Sequence, residues 1–250
     1  MSDHIEIKQS QGVSIIRMNR PDKKNALTSE MYRAMADAIS AAEKDEEIAA
    51  ILILGVPGSF CAGNDIGDFL KAATNHGHEP LAAFDFLEKI IMVEKPLIAG
   101  VDGLAIGVGT TMLMHCDYVV ASDQSLFKTP FVDLGLVTEA GSSLIGPRIL
   151  GHHRAFSLLV LGEDMNATTA CESGLINKVV SPDQLEDAAL SVATTTASKP
   201  TDALRITRQL VRGDRTDVLE RMRHEMGIFE ERLKSEDALA AIEAFLNRGK

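Results

Sequence analysis

The sequence predicts an α/β fold with parallel strands, followed by a helical C-terminal region. Three short apolar runs indicate buried strands: AAILILG at 49–55, PLIAGVDG at 96–103 and DYVVAS at 117–122. Helical patterns separate these runs, and strands that alternate with helices are typical of a parallel sheet. From about Ala140 the strand signal fades, and helical patterns are broken only by INKVVS at 176–181. We expect one continuous unit, with its core over residues 1–195 and its helical region over residues 196–250.

The first elements follow from local patterns. Residues 4–19 alternate apolar and polar side chains around QSQG, which predicts an opening β-hairpin. Thr28 then suits the N-cap of a helix that runs to about Glu43. After the strand at 49–55 comes VPGSFCAGNDIGDFL, which predicts a glycine-rich loop leading into a short helix. TNHGHE at 74–79 is expected to be a mobile loop, and residues 80–95 form the next predicted helix.

Composition excludes several classes of function. The 250 residues are 45% hydrophobic and carry a net charge of −11, which argues against a nucleic-acid surface. No apolar run approaches the ~18 residues of a membrane span, and the charged N-terminus lacks a secretory h-region. The cysteines Cys61, Cys116 and Cys171 have no metal-type spacing. His76 and His78 stand without a further ligand nearby, so no metal site is expected. A cytoplasmic protein is the plain expectation.

Two segments share one plan, a buried strand, a glycine-rich turn and then the start of a helix. They are AILILGVPGSFCAGNDI and PLIAGVDGLAIGVGTTM. Two facing turns of this kind can direct two backbone N–H groups at one oxygen, which forms an oxyanion hole. A dinucleotide site is disfavoured because Gly103, Gly107 and Gly109 do not match G-x-G-x-x-G. Taken alone, either loop equally suits an ordinary tight turn.

Several separated motifs resemble the crotonase (enoyl-CoA hydratase/isomerase) superfamily. They are SFCAGNDI, KPLIAGVDGLAIGVG, CDYVVAS and TPFVDLGLVTEAGSS, with MNRPDKKNAL and ACESGLINKVV at the two ends. The resemblance extends from about Ile5 to Phe245. It implies a crotonase (ClpP-like) fold with a spiral ββα core, an acyl-CoA thioester substrate, and a homo-trimer or hexamer.

The resemblance also implies roles for particular residues. The backbone N–H groups of Asn64 and Val108 form the oxyanion hole. No cofactor is expected, since CoA is part of the substrate. The residues expected to bind substrate or CoA are Lys24, Ala26, Leu27, Ala62, Gly63, Asn64, Asp65, Ile66, Gly107 and Phe131.

The acids distinguish the reactions within this superfamily. The hydratases use two glutamates, and this sequence has Thr111 and Phe131 at those positions. Glu139 lies in TPFVDLGLVTEAGSS, which resembles the corresponding segment of peroxisomal-type Δ3,Δ2-enoyl-CoA isomerases, where the glutamate is the catalytic base. Thr138 and Ala140 replace the proline and the glycine of that segment. From the residues alone, Glu139 also suits a cap for the helix that begins near Gly141.

The expected function is therefore isomerisation of 3-enoyl-CoA to trans-2-enoyl-CoA, with Glu139 moving one proton from C2 to C4. One alternative is hydration or another crotonase reaction, with Glu139 and Asp133 as the pair. A second is an acyl-CoA-binding protein without catalytic activity.

Other charged side chains have structural interpretations. Asp133 is expected to bind loop amides, Asp65 to cap the helix that follows it or contact the CoA groove, and His115 to pair with Asp117. His152 and His153 are expected on an exposed helix start. The C-terminal basic residues are expected mostly on solvated faces; they are Arg205, Arg208, Arg212, Arg215, Arg221, Arg223 and Lys234.

Overall fold

A computed structural model describes residues 2–68 and 82–248, and the predicted loop at 74–79 with its two histidines lies outside them. Within the described residues the strands form two sheets. The six-stranded sheet has the order β1-β2-β3-β5-β7-β10. Its strands are β1 (Ile5–Ser10), β2 (Val13–Met18), β3 (Ala50–Leu54), β5 (Leu97–Val101), β7 (Tyr118–Ser122) and β10 (Lys178–Val180). The four-stranded sheet has the order β4-β6-β8-β9. Its strands are β4 (Ser59–Cys61), β6 (Leu104–Ile106), β8 (Leu126–Lys128) and β9 (Met165–Asn166).

The chain winds as a spiral between these two sheets. From β3 to β8, successive strands alternate between the larger and the smaller sheet. Pairing is parallel throughout both sheets, except that β1 with β2 and β8 with β9 pair antiparallel. The predicted α/β class, the opening hairpin and the spiral of ββα turns are confirmed.

The strands of the smaller sheet are absent from the sequence-based prediction. We predicted loop at Ser59–Cys61 and turn at Leu104–Ile106, and both segments are strands. Each has three residues, which is too short to display the alternation by which a strand is recognised. Their pairing is long-range, so local sequence could not reveal it.

The helices largely follow the predicted ones. Thr28 accepts a hydrogen bond from the Met31 N–H at 3.3 Å, which confirms it as an N-cap. Met112–His115 is a 3₁₀ turn that continues α3. The helices are α1 (Ser29–Lys44), α2 (Ala82–Met92), α3 (Val108–Thr111), α4 (Ser142–Leu150), α5 (His152–Leu159), α6 (Ala167–Glu172), α7 (Leu185–Ala197), α8 (Thr201–Arg212), α9 (Thr216–Leu233) and α10 (Glu236–Arg248).

The larger sheet is covered on both faces, which explains its apolar runs. Most of the buried side chains lie on one side, between this sheet, the smaller sheet and helices α1 to α6. On the other side α7 packs through Leu185, Ala189 and Ala193 against alternate residues of β2, β3, β5 and β7. Sheets buried on both faces carry continuous apolar strands, as these do.

Of the seven C-terminal basic residues, four are exposed as predicted, whereas Arg208, Arg212 and Arg215 are half-buried. Arg208 donates to Asp117 at 2.8 Å and to the Val93 carbonyl at 2.8 Å. Arg212 donates to the carbonyls of Val93 and Ile91 at 3.2 and 3.4 Å. The C-terminal carbonyls of a helix have no partner within it, so cationic side chains are favoured there. Arg208 and Arg212 therefore fasten α8 to the end of α2.

A glycine contact between the two sheets generates a stability prediction. Gly103 has φ +67°, and a Cβ at this position would lie 2.0 Å from the Gly58 carbonyl oxygen. Gly58 has φ +77°, but a Cβ there would meet nothing within 4 Å. We expect Gly58→Ala to lower the free energy of unfolding by about 1 kcal/mol, the cost of a left-handed alanine. Gly103→Ala should lower it by about 3 kcal/mol, because a backbone collision is added. Urea unfolding of both variants measures the difference, and equal losses would contradict it.

Candidate active site

The two glycine turns lie side by side, as the sequence predicts. Strand β4 leads into the first turn and β6 into the second, and these strands pair in parallel. Gly63 has φ +89°, and a Cβ on it would lie 3.2 Å from the Ile106 carbonyl oxygen. A Cβ on Gly109 would lie 2.8 Å from the Cys61 carbonyl oxygen. The two turns are in such close contact that Gly109 could not be replaced without moving the backbone.

Each turn leaves one backbone donor free. Across the described part of the chain, neither the Asn64 N–H nor the Val108 N–H donates to a protein acceptor. One neighbour of each is engaged: the Asp65 N–H donates to the Leu27 carbonyl and the Gly107 N–H donates to the Lys128 carbonyl, each at 2.8 Å. Free N–H groups on adjacent turns are the donors that an oxyanion hole requires.

The predicted CoA-binding stretch runs alongside the first turn. The Lys24 carbonyl accepts the Ala62 N–H at 3.0 Å, and the Leu27 N–H donates to Gly63 at 2.8 Å. The Lys24 side chain is exposed, while Leu27 is buried. The carbonyl of Ala26 accepts Arg20 at 2.9 Å. The structure therefore brings residues 24–27 together with residues 62–65.

The remaining predicted binding residues flank the turns. Asp65 accepts Arg20 at 2.7 Å and the Asp68 N–H at 3.1 Å, so it caps the helical residues 66–68, as expected. Phe131 is buried, and its ring lies 3.8 Å from the position of a Cβ on Gly107. Ile66 packs against the apolar cluster that contains Phe131.

Glu139 is a buried carboxyl in a left-handed turn. Its exposed fraction is 7%, and the two residues after it have positive φ, +62° at Ala140 and +69° at Gly141. Thr111 donates a hydrogen bond to Glu139 Oε1. Glu139 Oε2 receives no hydrogen bond from the described residues. Ala140 thus adopts the left-handed conformation that glycine favours.

Burial controls the protonation of Glu139. Desolvation raises the pKa of Glu139 from 4.5 to about 8, with a smaller contribution from the charge of Glu225, and the Thr111 hydrogen bond opposes the shift. A carboxyl whose pKa lies near neutrality can both accept and return a proton at physiological pH.

Two further side chains link Glu139 to the first glycine turn. Tyr32 on α1 donates to Asn64 Oδ1 at 2.5 Å. Desolvation, followed by the negative charges of Cys61 and Glu139, raises the pKa of Tyr32 well above 10. Desolvation also raises the pKa of Cys61 to about 12, again with a contribution from Glu139. Glu139 is also joined to the second turn, because its partner Thr111 donates its own N–H to the Gly107 carbonyl at 3.0 Å.

His115 supports the Glu139 turn and does not pair with Asp117, contrary to the sequence-based expectation. Its Nε2–H donates to the Ala140 carbonyl at 2.7 Å, and its Nδ1 accepts from Arg215 at 2.8 Å. Desolvation, with Arg215 beside it, lowers the pKa of His115 to about 3, so the ring is neutral. Asp117 instead accepts the Leu97 N–H and Arg208, each at 2.8 Å.

The other candidate side chains lie outside this site. Asp133 is exposed and makes no hydrogen bond within the described residues, so its predicted role in binding loop amides is wrong. His152 and His153 are exposed at the start of α5, as predicted. Residues 2–68 and 82–248 contain no cluster of three His, Cys, Asp or Glu that could hold a metal. In the same ranges no helix is both long and apolar enough to cross a bilayer.

Comparison with known proteins assigns the family. The sequence profile described as enoyl-CoA hydratase/isomerase matches residues 8–250. The chain belongs to the enoyl-CoA hydratase/isomerase family. This crotonase superfamily carries the fold described above, and the protein is an enzyme of that family.

Relatives of this chain include proteins named as hydratases and proteins named as isomerases. It is 32% identical over 247 residues to a probable enoyl-CoA hydratase of Mycobacterium leprae, covering 98% of this chain and 96% of the relative. It is 32% identical over 254 residues to enoyl-CoA delta isomerase 2 of Rattus norvegicus, covering 99% of this chain. The chain spans 64% of the length of that isomerase. The crystal structure of an enoyl-CoA hydratase/isomerase from Pseudoalteromonas atlantica matches with a TM-score of 0.92 at 35% identity, covering 98% of both chains.

The sequence indicates the glycine turns and Glu139, but not the side chains that contact them in the structure. Thr111 was noticed only as the absence of a glutamate, and it is the hydrogen-bond donor to Glu139. Tyr32 lies on the buried face of α1 and resembles ordinary core. Glu225, which adds to the raised pKa of Glu139, had a visible signal, because it is a charged residue on the apolar stripe of α9.

The raised pKa of Glu139 predicts a pH-dependent stability difference. Between pH 4.5 and about 8 the folded protein retains a proton that the unfolded chain releases, so the free energy of unfolding falls as pH rises. Glu139→Gln removes this dependence. Relative to wild type, the variant should gain on the order of a few kcal/mol between pH 5 and pH 9. Urea unfolding at three pH values measures this, with the exposed Glu163→Gln as control. A difference that stays constant with pH would count against a buried, protonated Glu139.

Proposed function

We propose that this enzyme isomerises 3-enoyl-CoA to trans-2-enoyl-CoA. Glu139 acts as the single base and acid, and the backbone N–H groups of Asn64 and Val108 bind the thioester oxygen. The observation that carries the proposal is one buried carboxyl with a pKa of about 8 in the same site as two free backbone donors.

The reaction needs one carboxylate and no cofactor. Ionised Glu139 removes a proton from C2, and the electrons of that C–H bond form a dienolate whose negative charge lies on the thioester oxygen. The two backbone N–H groups stabilise that oxygen, and each such donor is typically worth about 10²–10³ in rate. Protonated Glu139 then returns the proton at C4, the double bond moves to C2–C3, and the carboxylate is regenerated. No atom enters or leaves, so neither metal nor redox cofactor is required.

The surroundings of Glu139 favour proton transfer over addition of water. Hydration by two carboxylates requires a second acid positioned for water. The two positions that hold glutamate in the similar hydratases are Thr111, which donates to Glu139, and Phe131, which is buried in an apolar cluster. The nearby charge that helps to raise the pKa of Glu139 is that of Glu225. Both oxygens of Glu225 already accept backbone N–H groups.

Substrate binding is proposed for the groove beside the first turn. Residues 24–27 and 62–66 would hold the CoA part, with Gly107 and Phe131 near the reacting end. The hydrogen bonds between these two segments support the groove as one unit. We also propose a trimer or a dimer of trimers, as the family resemblance implies.

A second candidate, hydration of 2-enoyl-CoA, is favoured by the similarity to the probable enoyl-CoA hydratase of Mycobacterium leprae. This candidate would use Glu139 with Asp133 as the pair, and Asp133 is exposed. The two candidates differ in the substrate consumed, so one set of assays distinguishes them.

The isomerase proposal predicts a specific coupled assay. Trans-3-hexenoyl-CoA is mixed with the protein, a known hydratase and a known dehydrogenase, and NADH is followed. Wild type should produce NADH, and Glu139→Gln should lower kcat about 10³-fold, because the amide cannot take the proton. Glu163→Gln, an exposed variant with the same change in charge, should match wild type.

The assay has two results that would overturn the proposal. If wild type hydrates crotonyl-CoA directly and leaves trans-3-hexenoyl-CoA unchanged, the protein is a hydratase. If it turns over neither ester but binds both, it is an acyl-CoA-binding protein.

A further inference from the structure

A buried acid lies on the inner face of α9, remote in sequence from the candidate base. Glu225 is 4% exposed. It is the charged member of a stripe whose buried residues are Val218, Met222, Glu225, Phe229 and Leu233. A carboxylate without partners is unfavourable in such surroundings, so its contacts indicate why the residue is there.

Both oxygens of Glu225 bind the turn that follows Glu139. Oε2 accepts the Gly141 N–H at 2.6 Å and Oε1 accepts the Ser143 N–H at 3.0 Å. These N–H groups stand at the start of α4, where the first amides of a helix have no acceptor within it. An apolar side chain would continue the stripe but leave both N–H groups unpaired.

The same turn is closed by its own hydrogen bonds. The Glu139 carbonyl accepts the Ser142 N–H at 3.0 Å and the Ser142 hydroxyl at 2.5 Å. Val218 on α9 packs at the turn as well, because a Cβ on Gly141 would lie 2.8 Å from its side chain. Residues 139–143 therefore form one hydrogen-bonded turn, and Glu225 attaches that turn to α9.

We propose that Glu225 is a positioning residue for the reaction: it holds the 139–143 turn through the Gly141 and Ser143 amides and keeps a second negative charge near Glu139. The assignment rests on the proposed function, because it takes Glu139 as the base. Positioning matters because one carboxyl must reach both C2 and C4, and small displacements of a catalytic group cost large factors in rate. The charge matters because a nearby anion strengthens a base.

The other ionisable groups around the turn do not supply this charge. Tyr32 on α1 and Cys61 on β4 have raised pKa values, owing chiefly to burial, and stay protonated at neutral pH. His115 stays neutral because burial lowers its pKa to about 3. On α9 itself, burial raises the pKa of Glu225, and the hydrogen bonds from Ser143 and Gly141 together with the Arg221 cation oppose that shift.

The test separates the charge of Glu225 from its contacts. Glu225→Gln removes the charge and one acceptor, whereas Glu225→Asp keeps the charge and shortens the reach. Glu220→Gln is the matched control, an exposed glutamate on the same helix. Thr111→Val calibrates the readout in the opposite direction, because it removes the donor that lowers the pKa of Glu139.

The first readout is the infrared C=O band of the protonated Glu139 carboxyl, identified by its loss in Glu139→Gln and followed against pH without substrate. The midpoint should move to lower pH in Glu225→Gln, to higher pH in Thr111→Val, and not at all in Glu220→Gln. The midpoint of Glu225→Asp should lie nearer to that of wild type than the midpoint of Glu225→Gln does. An unchanged midpoint in Glu225→Gln overturns the role of the charge.

The second readout is catalysis with trans-3-hexenoyl-CoA. Both Glu225 variants should lower kcat about tenfold while KM changes less than about threefold. The acidic limb of kcat/KM in Glu225→Gln should move to lower pH, which a merely structural role would not produce. Unchanged kcat in both variants overturns the positioning role.

A third readout uses wild type alone and decides the case if the variants fail to fold. The Gly141 and Ser143 amides should exchange slowly with deuterium, and rapid exchange would overturn the contacts. The infrared and exchange readouts need no turnover. A protein inert toward trans-3-hexenoyl-CoA would therefore refute the isomerase proposal while still reporting whether Glu225 holds the turn and acts on Glu139.

Discussion

The parallel pairing of β4 with β6 is the constraint on which the rest of the site depends. These strands are three residues each, yet their register brings two glycine turns into contact. No Cβ fits at Gly109 without displacing Cys61, so the contact itself excludes side chains there. On these turns the Asn64 and Val108 N–H groups donate to no acceptor within residues 2–68 and 82–248. The stretch at 24–27 and the Glu139 turn are arranged around that fixed pair.

Low polarity around the site determines which groups are charged. Burial keeps Glu139, Tyr32 and Cys61 protonated to higher pH than usual, and keeps His115 neutral. Backbone N–H groups need no ionisation to stabilise developing negative charge, so they are well suited to such an environment. Burial also raises the pKa of Glu225, but two backbone donors and the Arg221 cation oppose that shift. Electrostatic interactions in this site are strong mainly because water is excluded, and less because many charges are present.

The sequence predicts an element correctly where that element depends on local contacts or where an apolar run is long. The central strands are confirmed because they are continuous apolar runs, and helix α1 and the C-terminal helices because each displays its own periodicity. Glu139 stood out because it is a charge among small residues. The strands of the smaller sheet could not be predicted, since two or three residues carry no period and their partners are distant. Arg208 and Glu225 were missed for a related reason, because their contacts cross 91 and 84 residues.

The attachment of the Glu139 turn to α9 has a consequence for the order of assembly. Glu225 follows Gly141 by 84 positions, so during synthesis it leaves the ribosome well after the spiral strands. A nascent chain can complete the β4–β6 contact and its two free amides while the turn that carries the carboxyl still lacks its anchor. The two amides that would bind a thioester oxygen are then in place before the base is positioned. On this order the base is positioned only after α9 has docked, so C-terminal lesions far from the acyl group should impair chemistry before they impair the core.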